Sequence, residues 1–139
     1  MELGYEQHWP GGARLRTSYS FQHSEDLDTG QTLTNSPRHM LKLNATVPVW
    51  REGWRTGVEA QYISSRLTTS GAPLGRVGGY WIANLTVAAA RLLPNLEMSA
   101  SLYNVFGRRY ADPAGPELVQ PSIRQDGRSL GVKFTYTFR

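Results

Sequence analysis

The last eleven residues read SLGVKFTYTFR. Leu130, Val132, Phe134, Tyr136 and Phe138 alternate with Ser129, Gly131, Lys133, Thr135 and Thr137. In an extended strand successive side chains point to opposite faces, so strict alternation gives one apolar and one polar side. The same period of two recurs along the chain in seven segments: Glu2–Trp9, Ala13–His23, His39–Val49, Trp54–Ser65, Tyr80–Leu92, Leu96–Phe106 and Gln125–Phe138. No stretch places apolar residues at i, i+3, i+4 and i+7 well enough to compete as a helix. The sequence therefore predicts an all-β chain, a single segment over residues 1–139.

The connections alternate too. Tight turns fall at Pro10-Gly11-Gly12, Arg51-Glu52-Gly53 and Pro94-Asn95, and long loops at Ser24–Arg38, Arg66–Gly79 and Gly107–Arg124. In an antiparallel up-and-down meander this puts every long loop at one end. A soluble sandwich has no reason for that, whereas outer-membrane barrels have short periplasmic turns and long outer loops. A two-residue turn at Pro94-Asn95 predicts Leu93 opposite Leu96, Val87 opposite Leu102 and Ala83 opposite Phe106, with apolar residues meeting on one side.

What the apolar faces meet follows from where their rings lie. Trp9, Trp54 and Phe138 fall at the tight-turn ends of their strands, and Phe21, Tyr62, Trp81 and Phe106 at the long-loop ends. Between these bands the faces carry mostly Leu, Val, Ala and Met. Two aromatic girdles about an aliphatic waist are the pattern of a membrane barrel, because amphipathic rings settle at headgroup level. The other faces hold Arg14, Arg16, Lys42, Asn44, Glu59, Gln61, Asn84, Glu97 and Lys133. Each such charge would need a partner in a dry core, but can face water in a wide lumen.

Composition narrows the classes. The mean hydropathy is negative and no run of about 18 apolar residues is present, which excludes a membrane-crossing helix but not strands of about 10 alternating residues. There is no cysteine, so disulfides, thiol nucleophiles and thiolate metal sites are absent. The net charge of +4 comes from scattered arginines instead of a basic helix or cluster, so no nucleic-acid partner is expected. The opening MELGYEQHW lacks a signal peptide's basic start and apolar run, consistent with an intracellular chain or a piece of a longer exported one.

Several local patterns invite chemistry and fit bland readings better. Glu25, Asp26, Asp28 and Gly30 lack the later bidentate Glu of a calcium loop. His8, His23 and His39 lack zinc-site spacing. The GRVGG of Gly75–Gly79 precedes a strand instead of following one, unlike a phosphate loop. Asn44-Ala45-Thr46, a possible glycosylation acceptor, sits in mid-strand. Nothing sets a nucleophile beside an oriented base. No enzyme activity, cofactor or metal is expected.

Longer stretches resemble a known family. NSPRHMLKLNATVPVW (Asn35–Trp50), EAQYISSR (Glu59–Arg66), SLYNVFGRRYADP (Ser101–Pro113) and IRQDGRSLGVKFTYTFR (Ile123–Arg139) are similar to the C-terminal barrel strands of TonB-dependent outer-membrane receptors, and the resemblance is most specific over 35–139. Ser129, Gly131, Phe134 and Tyr136, extended by Phe138, resemble the signal read by the barrel-assembly machinery; Arg139 departs from relatives that finish on the aromatic. The resemblance implies part of a barrel of about 22 strands, without the plug and TonB-engaging segment, from a truncated or split gene or an excised piece. It implies location in the outer membrane of a Gram-negative bacterium and a role in taking up a ferric siderophore or similar scarce nutrient. The implied partners are outer-membrane lipid, the assembly machinery, the TonB complex through the missing N-terminal part, and the ligand. Arg66, Arg76, Arg108 and Arg109 are the loop residues that could attract an anionic chelate. Two alternatives stand beside this: a small soluble all-β binding module, and an inactive remnant of a truncated receptor gene.

Overall fold

The computed structural model describes residues 1–139 except 29, 50–51, 69–74 and 139. Part of the Arg51-Glu52-Gly53 turn, much of the Arg66–Gly79 loop and the terminal Arg139 thus lie outside the described residues. Those described form eleven strands: β1 Glu2–His8, β2 Arg14–Phe21, β3 His39–Pro48, β4 Trp54–Ile63, β5 Arg66–Leu67, β6 Arg76–Val77, β7 Tyr80–Leu93, β8 Leu96–Tyr103, β9 Ala111–Pro113, β10 Ser122–Arg124 and β11 Ser129–Tyr136. Seven of them make one antiparallel sheet in the order β1-β2-β3-β4-β7-β8-β11. Every neighbour follows in sequence once the hairpins β5–β6 and β9–β10 are set aside as decorations of the long loops. This is the expected meander.

Residues directly across a ladder share a face, so the register settles which side chains stand together. One rung runs Leu15, Ala45, Val58, Leu85, Leu102, Leu130 from β2 to β11; the next carries Val47, Thr56, Val87, Ala100 and Val132. The opposite face carries Arg16, Asn44, Glu59 and Asn84 in one rung, with Asn84 Nδ2 donating to Glu59 at 3.2 Å. No second layer covers the apolar face among the described residues: Leu130 is 72% exposed and Phe134 63%. Of the buried apolar residues, Ile63, Val77, Tyr80 and Ala114 sit at the loop end, where the small hairpins cover the sheet, and Ala89 lies at the turn end opposite Trp54. Among the described residues no sealed core of aliphatic residues, the outcome expected of a small soluble module, forms.

The register departs from expectation in one place. Leu93 does face Leu96, and Asn95 adopts φ 63, which fits a turn with Pro first and a left-handed residue second. Beyond the turn, however, Val87 faces Ala100 and Leu102 faces Leu85. The chain advances four residues on β7, from Ala89 to Leu93, against two on β8. On its other edge β7 stays in register, with the Ala90 N–H donating to the Gly53 carbonyl at 2.9 Å one position beyond the Trp54–Ala89 pair. The excess is even, so both faces keep their character; an odd slip would have turned every later side chain over.

Several strands stop earlier than their alternation suggests. β8 ends at Tyr103 because Asn104 has φ 47, leaving the extended region. Phe106 therefore lies in the turn beyond the ladder, 78% exposed. β11 begins at Ser129 and not at Gln125, whose N–H donates to the Tyr110 carbonyl at 3.1 Å as a continuation of the β9–β10 ladder.

Candidate functional site

At the loop end, three connections are tied together by one side chain. Arg66 opens β5, directly after the β4 strand, and is 9% exposed. Its Nη2 pairs with Asp112 of β9, its Nη1 donates to Asn35 Oδ1 at 3.2 Å, and its guanidinium carbon lies 5.8 Å from the centre of the Tyr80 ring. Tyr80, the first residue of β7, donates its hydroxyl to the same Asp112 oxygen at 3.0 Å and packs against Tyr110 with ring centres 4.3 Å apart and planes tilted by 40°. Asn35, itself at φ 54, donates its backbone N–H to the Leu67 carbonyl. A buried guanidinium is tolerable only when its charge is matched and its donors are used. Asp112, Asn35 and Tyr80 meet most of that demand, while Nε finds no partner among the described residues.

Asn104 organises the neighbouring turn. It is 5% exposed, and its side chain accepts the Arg108 N–H at 2.9 Å while donating to the carbonyls of Arg108 at 2.9 Å and Asp126 at 3.3 Å. Its own N–H goes to Asn84 Oδ1 at 2.9 Å. One amide thus joins the end of β8 to the approach to β11 and sets where Arg108 emerges.

Between these two networks lies a cleft of about 540 Å³, bordered by Gly79, Tyr80, Arg108, Arg109, Tyr110 and Arg124 among others. Gly79 has a steric reason to be there: a Cβ would come within 3.0 Å of the Ile63 carbonyl oxygen. Burial, with Asp112 and Asp126 nearby, raises the Tyr110 phenol above its ordinary pKa. Of the four arginines singled out in the sequence, Arg108 and Arg109 border the cleft, the exposed Arg76 of β6 donates to Ser65 Oγ at 3.2 Å, and Arg66 is the buried clamp. Sequence reasoning missed Arg124, Asp112, Tyr80, Tyr110, Asn35 and Asn104. Asn104 alone left a visible signal, as a polar residue interrupting an apolar strand end in YNVFGRRYADP.

The other patterns fall apart in space. His8 pairs with Glu6 at 2.8 Å, His23 with Glu25 at 2.6 Å, and His39 meets the Tyr19 hydroxyl at 2.8 Å, with its ring beside Phe21. Among the described residues no three His, Asp or Glu side chains gather as a metal site. No helix is long and apolar enough to cross a membrane.

Apart from Tyr5 of β1, which stands one rung inside the loop-end band, the rings of the apolar face fall in two bands. Tyr19, Phe21, Tyr62 and Trp81 lie at the loop end, with Tyr62 and Trp81 4.9 Å apart across β4–β7. Trp54, Phe134 and Tyr136 lie at the turn end, where Tyr136 meets Phe138 edge-on at 4.8 Å; Trp9 follows β1 there. Along β7 the bands are separated by Trp81 to Ala89, about 27 Å at about 3.4 Å per residue and about 21 Å once a tilt of about 40° is allowed for, comparable to the apolar band of a membrane barrel.

Comparison with known proteins follows from this geometry. A family model described as TonB dependent receptor-like, beta-barrel, matches residues 1–105, and so reaches the opening stretch that the motif resemblance reads less specifically. Among solved structures, the ferripyoverdine receptor of the outer membrane of Pseudomonas aeruginosa superposes with a TM-score of 0.76 at 16% identity, over 97% of this chain and 19% of that one. The ferric-catecholate import receptor Fiu from E. coli K12 gives 0.77 at 20% identity, over 98% and 20%. The copper transporter OprC gives 0.76 at 18%, over 99% and 23%. The chain thus spans about a fifth of the length of the solved proteins it matches, and the likeness is one of fold. No curated protein matches it in sequence.

Proposed function

This chain belongs to the TonB-dependent receptor β-barrel family, and we propose that it forms the closing wall of an outer-membrane receptor for a ferric siderophore or a similarly large, scarce nutrient. The observation that carries this reading is the two-sided sheet: an uncovered apolar face banded by rings, a charged face, and all the long loops at one end. Lipid would solvate the first face and a watery lumen the second. The chain supplies wall and loops, not reaction chemistry, in keeping with neighbours that are receptors and transporters.

The remaining partners follow on the same reading. Ser129, Gly131, Phe134, Tyr136 and Phe138 would be read by the assembly machinery, because an edge strand with alternate rings on one side invites strand addition. The TonB complex would act through parts of the receptor outside this chain. Arg76, Arg108 and Arg109 would meet ligand, joined by Arg124, whereas Arg66, buried against Asn35, Asp112 and Tyr80, would hold the loops together. The outer position of the long loops is what separates this reading from a soluble module.

The chain has no cysteine, so a single one can be placed at will. Val119→Cys, in the long loop between β9 and β10 and fully exposed, should react with a large polymer-coupled maleimide on intact cells. Gly11→Cys, in a tight turn, should react only after the outer membrane is opened. Equal labelling of both in intact cells would exclude the orientation, and labelling of both in a detergent-free cytosolic fraction would favour the soluble module.

A further inference from the structure

Three long connections meet at one buried charge. Arg66 belongs to the connection between β4 and β7, Asn35 to that between β2 and β3, and Asp112 to that between β8 and β11. No other ion pair among the described residues has a buried member. The two partners are unequal: the Arg66 side chain is 9% exposed and that of Asp112 35%. Asp112 can turn to water by itself, but the guanidinium cannot stay where it is without a counter-charge. Its seat has little to spare. With Asp112 gone, Arg66 keeps one hydrogen bond to Asn35 and the Tyr80 ring, and its Nε already lacks a partner among the described residues.

We propose that the Arg66–Asp112 pair is a charge latch that makes the three long loops open as one unit, with Asp112 as its trigger. When the β8–β11 loop moves, it carries Asp112 away, and the stranded guanidinium must leave its seat for water. Arg66 faces Val77 across the β5–β6 ladder, and both are buried, so this departure unseats the hairpin. It also frees Asn35, which β5 holds twice: through Arg66 Nη1, and through the Leu67 carbonyl that accepts the Asn35 N–H at 2.9 Å. Displacement of one loop is thereby converted into release of the other two. Hydrogen bonds between neutral groups would not do this, because each can pass to water singly at small net cost. Any contact that shifts the β8–β11 loop would loosen the whole loop end by this route, whatever the receptor reading assigns to the loops.

Native-state amide exchange on the full chain, folded in zwitterionic detergent micelles, tests the latch. One amide reports on each loop: the Asn35 N–H, the Thr68 N–H bonded to the Gly75 carbonyl, and the Ala114 N–H bonded to the Pro121 carbonyl. Asp112→Asn should speed exchange at Asn35 and Thr68 at least about tenfold, although both lie in other loops. Tyr80→Phe, which takes a hydroxyl from Asp112 but no charge, should change both by less than about threefold. Arg66→Met fills the seat without a charge. In that background Asp112→Asn should leave Asn35 and Thr68 within about threefold of Arg66→Met alone. A pair that merely added contacts would give the same acceleration in both backgrounds. Amides of the seven-stranded sheet should keep their protection in every variant, which separates loop opening from unfolding. Acceleration by Asp112→Asn that is confined to Ala114 overturns the proposal, as does equal acceleration at Asn35 with and without Arg66. Where Asp112→Asn alone does not fold, the Arg66→Met background decides, and faster exchange at Asn35 there overturns the latch. Failed nutrient uptake in cells would instead overturn the receptor reading while leaving these exchange rates intact.

Discussion

Leu43→Arg should destabilise the folded protein in lipid vesicles by about 2–4 kcal/mol, while Asn44→Arg, one residue along the same strand, should change it by less than about 1 kcal/mol. The contrast depends on facing alone, since the two positions share a depth. Leu43 stands between Thr17 and Ala60 on the apolar side, in the aliphatic waist between the aromatic bands. An arginine there must snorkel or draw water into the bilayer. Asn44 stands between Arg16 and Glu59 on the charged side, where a guanidinium meets one attraction, one repulsion and solvent. Denaturant unfolding of both variants in vesicles is the measurement. Equal effects, or a larger cost at Asn44, would mean that the apolar face is not the one solvated by lipid.

Asn104→Ala should be the most damaging small substitution in the loops, at about 2–4 kcal/mol. The side chain satisfies the Arg108 N–H and the carbonyls of Arg108 and Asp126 from a nearly buried position. Leaving such buried groups without partners costs about 1–3 kcal/mol each when water cannot reach them. Alanine also tolerates φ 47 less well than asparagine, adding about 1 kcal/mol. Asn104→Gly separates the two terms: it relieves the backbone and still removes the amide, so it should recover only the smaller part. Amide exchange should show faster opening around Gly107–Tyr110 and near Asp126 in both variants. Unchanged protection there would remove Asn104 from its organising role and with it the placement of Arg108.

These expectations differ in how far the sequence reaches them. The facing of Leu43 and Asn44 is legible because strand parity is local: each residue's side is fixed by its neighbours' pattern, whatever the partner strand. Asn104 is half legible. Its polarity at an apolar strand end marks the stop, but its partners at Asp126 and Asn84 lie about twenty residues away in either direction. Arg66 was legible only as a loop cation. Its burial depends on Asp112, 46 residues on, and on Asn35, 31 residues back, and no spacing rule links such positions.

By itself the sequence determined the seven-strand meander, the two faces of the sheet and the end at which the long loops gather, because all three follow from period two and from turn residues acting within a few positions. Only the tertiary structure decided the two-residue slip between Ala89 and Leu93, the hairpins within the long loops, and which arginines are free. A register shift by an even number leaves the alternation unchanged, so the pattern cannot report it. Charge pairing across loops depends on how distant segments meet, and that is settled by packing at the loop end, not by any stretch of sequence.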